Sequence, residues 1–150
     1  MVATLSAEEI REFISSHNIA RIGCNDGERT YVVPINYLYF DSYFLCYSLD
    51  GLKIEMMRDH PLVCLEIDDI KSVVDWTCVL VFGRYEEISD PASVADAKKH
   101  FTESYVRLKA EQTPLPPEAT SPDRTPHETH REIVCYRIHI EDLSGRLEKR

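Results

Sequence analysis

Positive charge is in short supply: 17 Lys and Arg face 26 Asp and Glu, a formal net charge of −9. Nucleic-acid surfaces need a concentrated basic face against the phosphates, so this balance excludes a binder of nucleic-acid backbone. It equally disfavours docking on anionic membranes. Long hydrophobic runs are missing too. The longest uninterrupted apolar stretch, Cys78–Phe82, is far shorter than the roughly 20 residues of a membrane span. The N-terminus MVATLSAEEIREF has neither a basic n-region nor an apolar h-region, so no secretory signal is expected. There is no Walker sequence, no G-x-G-x-x-G fingerprint and no nucleophile elbow. Cysteine pairs at C-x-x-C spacing are also absent. The five cysteines, at 24, 46, 64, 78 and 135, sit in apolar, strand-like surroundings. They read as buried free thiols in a reducing compartment, which places the chain in the cytoplasm.

What is present describes a globular protein. At 150 residues, 43% hydrophobic and 29% charged, the chain is expected to form one domain over 1–150, burying roughly two-thirds or more of its unfolded surface. Ser6 and Glu9 make an S-x-x-E capping box, and Ile10, Phe13 and Ile14 follow on one face, which predicts a helix over 6–17. Strand patterns follow at 19–24, 30–40, 43–48, 62–68 and 77–88, with turns at Asn25-Asp26-Gly27 and Asp41-Ser42. Val134, Tyr136, Ile138 and Ile140 alternate with polar residues in a final half-buried strand. Further helices are expected at 52–59 and 91–108. The second strand is apolar on both faces, with Val33, Ile35 and Tyr37 on one and Val32, Pro34 and Leu38 on the other. A small barrel has a filled interior, so its outer face needs a separate cover. Residues 112–131 hold five of the eight prolines and are expected to be an irregular connection, either a substrate-site cover or a surface excursion.

Several residues are candidates for chemistry. A strand ends at Ser48, and LKIEMMRD begins after Gly51, which brings a hydroxyl, a glycine and Lys53 to a helix N-terminus. Such a corner suits a phosphate, and spacing alone fits a solvated lysine on an exposed first turn as well. Asp50 close by can serve as the helix cap. Pro34 inside a strand marks an edge or bulge, beside which the backbone of Val33, Ile35 and Asn36 is available to a ligand. Trp76, Thr77 and Cys78 open the fifth strand; a lone indole suits core, interface or ring stacking. Nothing nearby suggests a lowered thiol pKa at Cys78. His127 and His130 are spaced H-x-x-H in the proline-rich segment and read as exposed histidines, so no metal site is expected. Lys98, Lys99 and His100 read as a solvated helix face, and Met56 and Met57 as packing.

Taken in order, ARIGC (20–24), YVVPINYLYF (31–40), YSLDGLKIEMMRDHPLVCLEID (47–68), WTCVLVFGRYEEI (76–88) and YRIHIEDLSGRLEKR (136–150) resemble the FMN-binding split-barrel proteins related to pyridoxamine 5′-phosphate oxidase. The nearest likeness is to the branch that includes the nitroimidazole-resistance proteins, and it covers roughly residues 5 to 148. The resemblance implies a mainly β fold, a six-stranded antiparallel split barrel with flanking helices, and FMN at a homodimer interface. It assigns Val33, Pro34, Ile35 and Asn36 to the flavin ring, Tyr47, Ser48 and Lys53 to the phosphate corner, and Trp76, Thr77 and Cys78 to the strand that approaches the flavin. It further implies a flavin-dependent oxidoreductase acting on a small molecule, nitroaromatic- or quinone-like, with NAD(P)H as a donor. No catalytic side chain is named, because hydride transfer to a flavin needs no acid or base.

The pattern has departures. Many relatives have histidine where this chain has Tyr47, and serine at the position of Cys78, a weaker hydrogen-bonding group. The sequence ends at Arg150 with SGRLEKR, without the C-terminal extension that holds substrate in pyridoxamine 5′-phosphate oxidases, so that activity is not expected. Two alternatives stand beside the oxidoreductase: a flavin-binding storage or sensing module, and the same barrel binding haem or a deazaflavin. For haem, His60, His100, His127, His130 and His139 are the available axial ligands, none with a supporting motif.

Overall fold

A computed structural model describes residues 1–110 and 132–150. Its strands are β1 (Val2–Thr4), β2 (Ile19–Asn25), β3 (Thr30–Phe40), β4 (Tyr43–Leu49), β5 (Leu62–Ser72), β6 (Asp75–Ile88) and β7 (Ile133–Glu148). The helices are α1 (Ala7–Ser15), α2 (Leu52–Asp59) and α3 (Pro91–Ala110). The sheet runs β1-β7-β4-β3-β2-β5-β6, and β6 pairs again with β7. That last pairing closes β7-β4-β3-β2-β5-β6 into a six-stranded antiparallel split barrel. Closure leaves few exposed edges.

Local chemistry sets the element ends. The Ser6 hydroxyl accepts from the Glu9 N–H, and the Glu9 carboxylate accepts from the Ser6 N–H, the capping box expected of α1. At the first hairpin the Asp26 carboxylate accepts from the Glu28 and Arg29 amides, and Gly27 takes φ +93°. Asp41 takes φ +48° at the second. Three strands run longer than the sequence pattern predicts. β5 continues to Ser72, β6 starts at Asp75 and β7 reaches Glu148. The added residues are largely polar and exposed, so hydrophobic alternation does not mark them. β1 joins the far end of β7, with Val2 opposite Glu148. Three exposed residues carry no burial signal at all.

Inward side chains fill the barrel. Ile22, Ile35, Tyr37, Phe44, Cys46, Leu65, Val79, Tyr136 and Ile138 form its centre, and Ile10 and Ile14 of α1 pack against it with Ile54, Met56 and Met57 of α2. A second cluster lies outside, where α3 sets Ala97 and Phe101 on Leu45, Ile88 and Cys135. Lys98 and Lys99 are exposed, while His100 meets the Phe40 ring edge-on at 5.3 Å. All five thiols are free; Cys64 and Cys78 are only half-buried, against the expectation of five buried thiols. Among the described residues, no helix is long and apolar enough to cross a membrane, and no cluster of three metal-ligating side chains forms. The proline-rich segment with His127 and His130 lies outside the described residues.

Candidate functional site

Strand parity decides which candidate side chains can meet. Residues paired across neighbouring strands share a face. On β3, Val33 and Ile35 point into the barrel, while Pro34 and Asn36 point out. Pro34 stands opposite Arg21 of β2. Residues 30–36 of β3 pair with β2 alone, and β4 pairs only with Tyr37 to Phe40. The proline therefore occupies the part of β3 whose second edge has no strand among the described residues. That is where a missing N–H is tolerated.

Tyr47 and Ser48 diverge. Ser48 points inward, is 2% exposed, and its hydroxyl lies 3.1 Å from the Tyr136 hydroxyl. Tyr47 points outward beneath α3. Its ring meets Phe101 edge-on at 4.6 Å, and its hydroxyl accepts a hydrogen bond from Tyr105. The two hydroxyls thus lie on opposite faces of one strand. Lys53 sits in the first turn of α2, where Gly51 is the N-cap and no side chain among the described residues caps the helix. The lysine's charge lowers the thiol pKa values of Cys24 and Cys46, but burial outweighs it and both thiols are raised. The ammonium therefore lies near the barrel end. Asp50, just before α2, lies 3.5 Å from Arg58, which also donates to Glu87 at 2.8 Å. The Arg58 guanidinium thus offsets an acidic group near the helix start.

On β6, Trp76 and Cys78 face outward, and Thr77 shares the face of Val79 and Val81. Trp76 stands opposite Ile70, and Cys78 opposite Asp68. Burial raises the Cys78 thiol, and the carboxylates of Glu66 and Asp68 raise it further. A reactive thiolate is disfavoured there.

The same outward face holds a cluster that the motifs do not identify. Arg21 donates to Asp68 at 2.5 Å and approaches Glu66 at 3.5 Å through the same nitrogen. A hydrogen bond to Asp68, then burial, then the Asp68 charge push the Glu66 carboxyl up to about 7, against the pull of Arg21. The available signal is the pair of acids two apart in LVCLEIDDI, but pairing with Arg21 is set by sheet register 47 positions away. Around the cluster, Ile19, Val32, Leu62, Ile70 and Phe82 are exposed on the same face.

The family model described as pyridoxamine 5′-phosphate oxidase matches residues 6–147. The chain belongs to the pyridoxamine 5′-phosphate oxidase family. A FAD-binding protein from Mesorhizobium loti superposes with a TM-score of 0.75 at 29% identity, covering 100% of this chain and 98% of that one. A FAD-binding protein from Mycobacterium smegmatis gives 0.62 at 20% identity, with 98% and 99% covered. A candidate 5-nitroimidazole antibiotic resistance protein from Bacteroides thetaiotaomicron gives 0.69 at 16%, with 98% and 87% covered. The last two likenesses concern the fold. An uncharacterised Rhizobium meliloti protein is 36% identical over 87 residues, which is 58% of either chain. Among the described residues, the outer barrel face, the unpaired edge of β3, the start of α2 and a small cavity between Asn36, Leu38, Phe101 and Tyr105 are candidate ligand positions.

Proposed function

We propose that the chain works in the cytoplasm as a single FMN-binding domain over residues 1–150, a homodimeric oxidoreductase acting on a small molecule. The observation that supports it most is membership of the pyridoxamine 5′-phosphate oxidase family across residues 6–147. The relative at 29% identity whose name says FAD-binding points the same way. The donor set of the chain fits a flavin phosphate. Lys53 and the first-turn amides of α2, which no described side chain caps, would hold the phosphate charge. The free edge of β3 beside Pro34 offers backbone groups to a heterocycle, and the outward Asn36, Trp76 and Cys78 add side chains. The Tyr37 N–H bond to the Asn18 carbonyl turns the backbone groups of Val33 and Ile35 toward β2, and Thr77 is paired on both sides. These three would shape the site, while Pro34 and Asn36 face the edge. Ser48 is committed to Tyr136 in the core, so its share is the shape of the corner. Bound there, a flavin supplies two-electron chemistry, from a reduced nicotinamide to an acceptor such as a nitroaromatic or quinone. The residues bind, orient and exclude water. Tyr47, enclosed by Phe101 and Tyr105, gives the pocket wall a phenol in place of the relatives' imidazole. A second copy would cover the apolar outer face.

The test is the absorption spectrum of protein purified without added cofactor, followed by anaerobic mixing with NADH and NADPH. A flavin spectrum, FMN on extraction and bleaching by either donor are expected. A colourless protein that binds no added flavin rejects the flavin assignment. A bound flavin that neither donor bleaches, and that no acceptor reoxidises faster than free FMN, rejects the oxidoreductase and leaves a binding module.

A further inference from the structure

The Arg21–Asp68–Glu66 cluster sits in the middle of the face that the homodimer reading covers. Its position is set by three strands. Arg21 pairs in register with Glu66 between β2 and β5 and with Pro34 between β2 and β3. Glu66 pairs with Leu80, and Asp68 with Cys78, between β5 and β6. Exposed Val32, Leu62, Ile70 and Phe82 surround it. Asp68 is already mostly buried, 15% exposed at its side chain, whereas Glu66 and Arg21 remain open at 38% and 55%.

One arginine faces two carboxylates, so the cluster carries a net negative charge when both are ionised and none when one holds a proton. An isologous dimer sets the same face against itself. Each ionised cluster would then lose water from an uncompensated negative charge, which is costly. Two neutral clusters are self-complementary, since each places a guanidinium beside a carboxylate. The occupant this argument favours is therefore a second copy, rather than a strongly basic or acidic partner.

We infer that association of two copies through this face is proton-linked, each Glu66 taking up a proton as its Arg21–Asp68–Glu66 cluster is covered. The inference rests on the homodimer reading above. The Glu66 carboxyl already titrates near neutrality in the uncovered chain, at about 7. Covering it raises that value further, so the dimer binds more protons than two monomers. Affinity is then highest at low pH and falls as pH rises through the monomer's value. The slope approaches tenfold per pH unit for each proton taken up, and about a hundredfold for two. The titratable and charged groups facing Glu66 are Arg21 from β2, Cys64 and Asp68 from β5, Cys78 from β6 and, across β6, Asp142 and Arg146 of β7. β3 presents Val32 and Pro34, which do not ionise. No imidazole is in the set, and the Cys78 thiol is raised above its ordinary range.

The experiment is sedimentation equilibrium of the full chain, as purified, at pH 6, 7 and 8 and constant ionic strength. The dimer dissociation constant should be at least tenfold larger at pH 8 than at pH 6. Glu66→Gln, which keeps the shape and a permanent donor, should vary less than threefold over the same range. Asp68→Asn serves as a second variant. With one acid left, Glu66 can ionise against Arg21 as a neutral pair, so the dependence between pH 6 and 8 should also flatten. The general repulsion between two acidic chains acts on both variants and on the parent alike. A parent dimer whose affinity does not change with pH overturns the inference and leaves the homodimer standing. A slope that survives in Glu66→Gln assigns the proton elsewhere and overturns it too. A chain that stays monomeric at every pH removes the homodimer, and the inference with it.

Discussion

Tyr47 and Ser48 are adjacent in sequence and look in opposite directions, and much of the site's chemistry follows from that. The Ser48 hydroxyl is buried against Tyr136, so Ser48→Ala should act first on stability. It leaves the buried Tyr136 phenol without its partner, at a cost of about 1–3 kcal/mol. Urea denaturation should show this loss with little change in flavin affinity, and a stable variant with weakened FMN binding would return the hydroxyl to the ligand. Lys53→Ala should do the reverse. Removing a charge-assisted contact to the phosphate should weaken FMN by about 1.5–3 kcal/mol while leaving riboflavin, which has no phosphate, unchanged. Fluorescence titration with the two ligands decides it, and equal effects on both would move the phosphate away from α2. Alternation along YFLCYSL makes the inward and outward sets readable from sequence. What encloses Tyr47 is not readable, because Tyr105 lies 58 positions away. The pairing of Arg21 with Asp68 is hidden for the same reason.

Among elements, the β6–β7 ladder is the longest pairing, and its register shifts between Phe82 and Gly83. Gly83 lies at this shift, hard against β7. A methyl group in place of its hydrogen would stand 2.6 Å from Ile138 Cγ2 and 2.7 Å from the His139 carbonyl oxygen. Backbone cannot move aside as a side-chain tip can, so Gly83→Ala should destabilise the protein by about 1–3 kcal/mol. For a chain of this length that corresponds to a fall in Tm of roughly 2–4 °C per kcal/mol. Gly145 offers an internal comparison. Its added methyl would meet the Leu5 and Ile10 side chains at 2.7 and 2.9 Å, and side chains can rotate away. Gly145→Ala should therefore cost less than Gly83→Ala, and thermal melts showing the opposite order would contradict this account of the ladder. The elements that sequence reading identifies well are those whose alternation reports burial: β2, β3, β4 and the inward parts of β5 to β7. Capping chemistry at Ser6 and turn residues at Asp26-Gly27 and Asp41 add their boundaries. The polar ends of β5, β6 and β7, together with β1, are held by ladder hydrogen bonds to neighbours distant in sequence, and periodicity does not report those.

At the scale of the whole molecule, the barrel is filled inside and one side of its outer face is covered by α3, while no described residue covers the β2-β3-β5-β6 side, where apolar side chains surround the Arg21–Asp68–Glu66 cluster. A monomer would expose Ile19, Val32, Leu62, Ile70 and Phe82 together with the half-buried Trp76. Exposed apolar side chains gathered on one face are what the proposed second copy would cover. If a second copy covers it and the flavin site is completed there, cofactor retention and assembly are one equilibrium. Binding to the dimer alone stabilises it by mass action, so FMN should tighten the dimer and dilution should release FMN. The expected result is flavin fluorescence that rises with an upward break as the protein is diluted through its dimer dissociation constant. Sedimentation at the same concentrations should locate that break at the monomer–dimer midpoint, and added FMN should move it to lower protein concentration. Lys53→Ala should shift the break upward, because weaker phosphate binding removes part of the cofactor's contribution to assembly. A monomer that holds FMN tightly at every dilution would show the site complete within one chain, and the apolar face would then need another occupant.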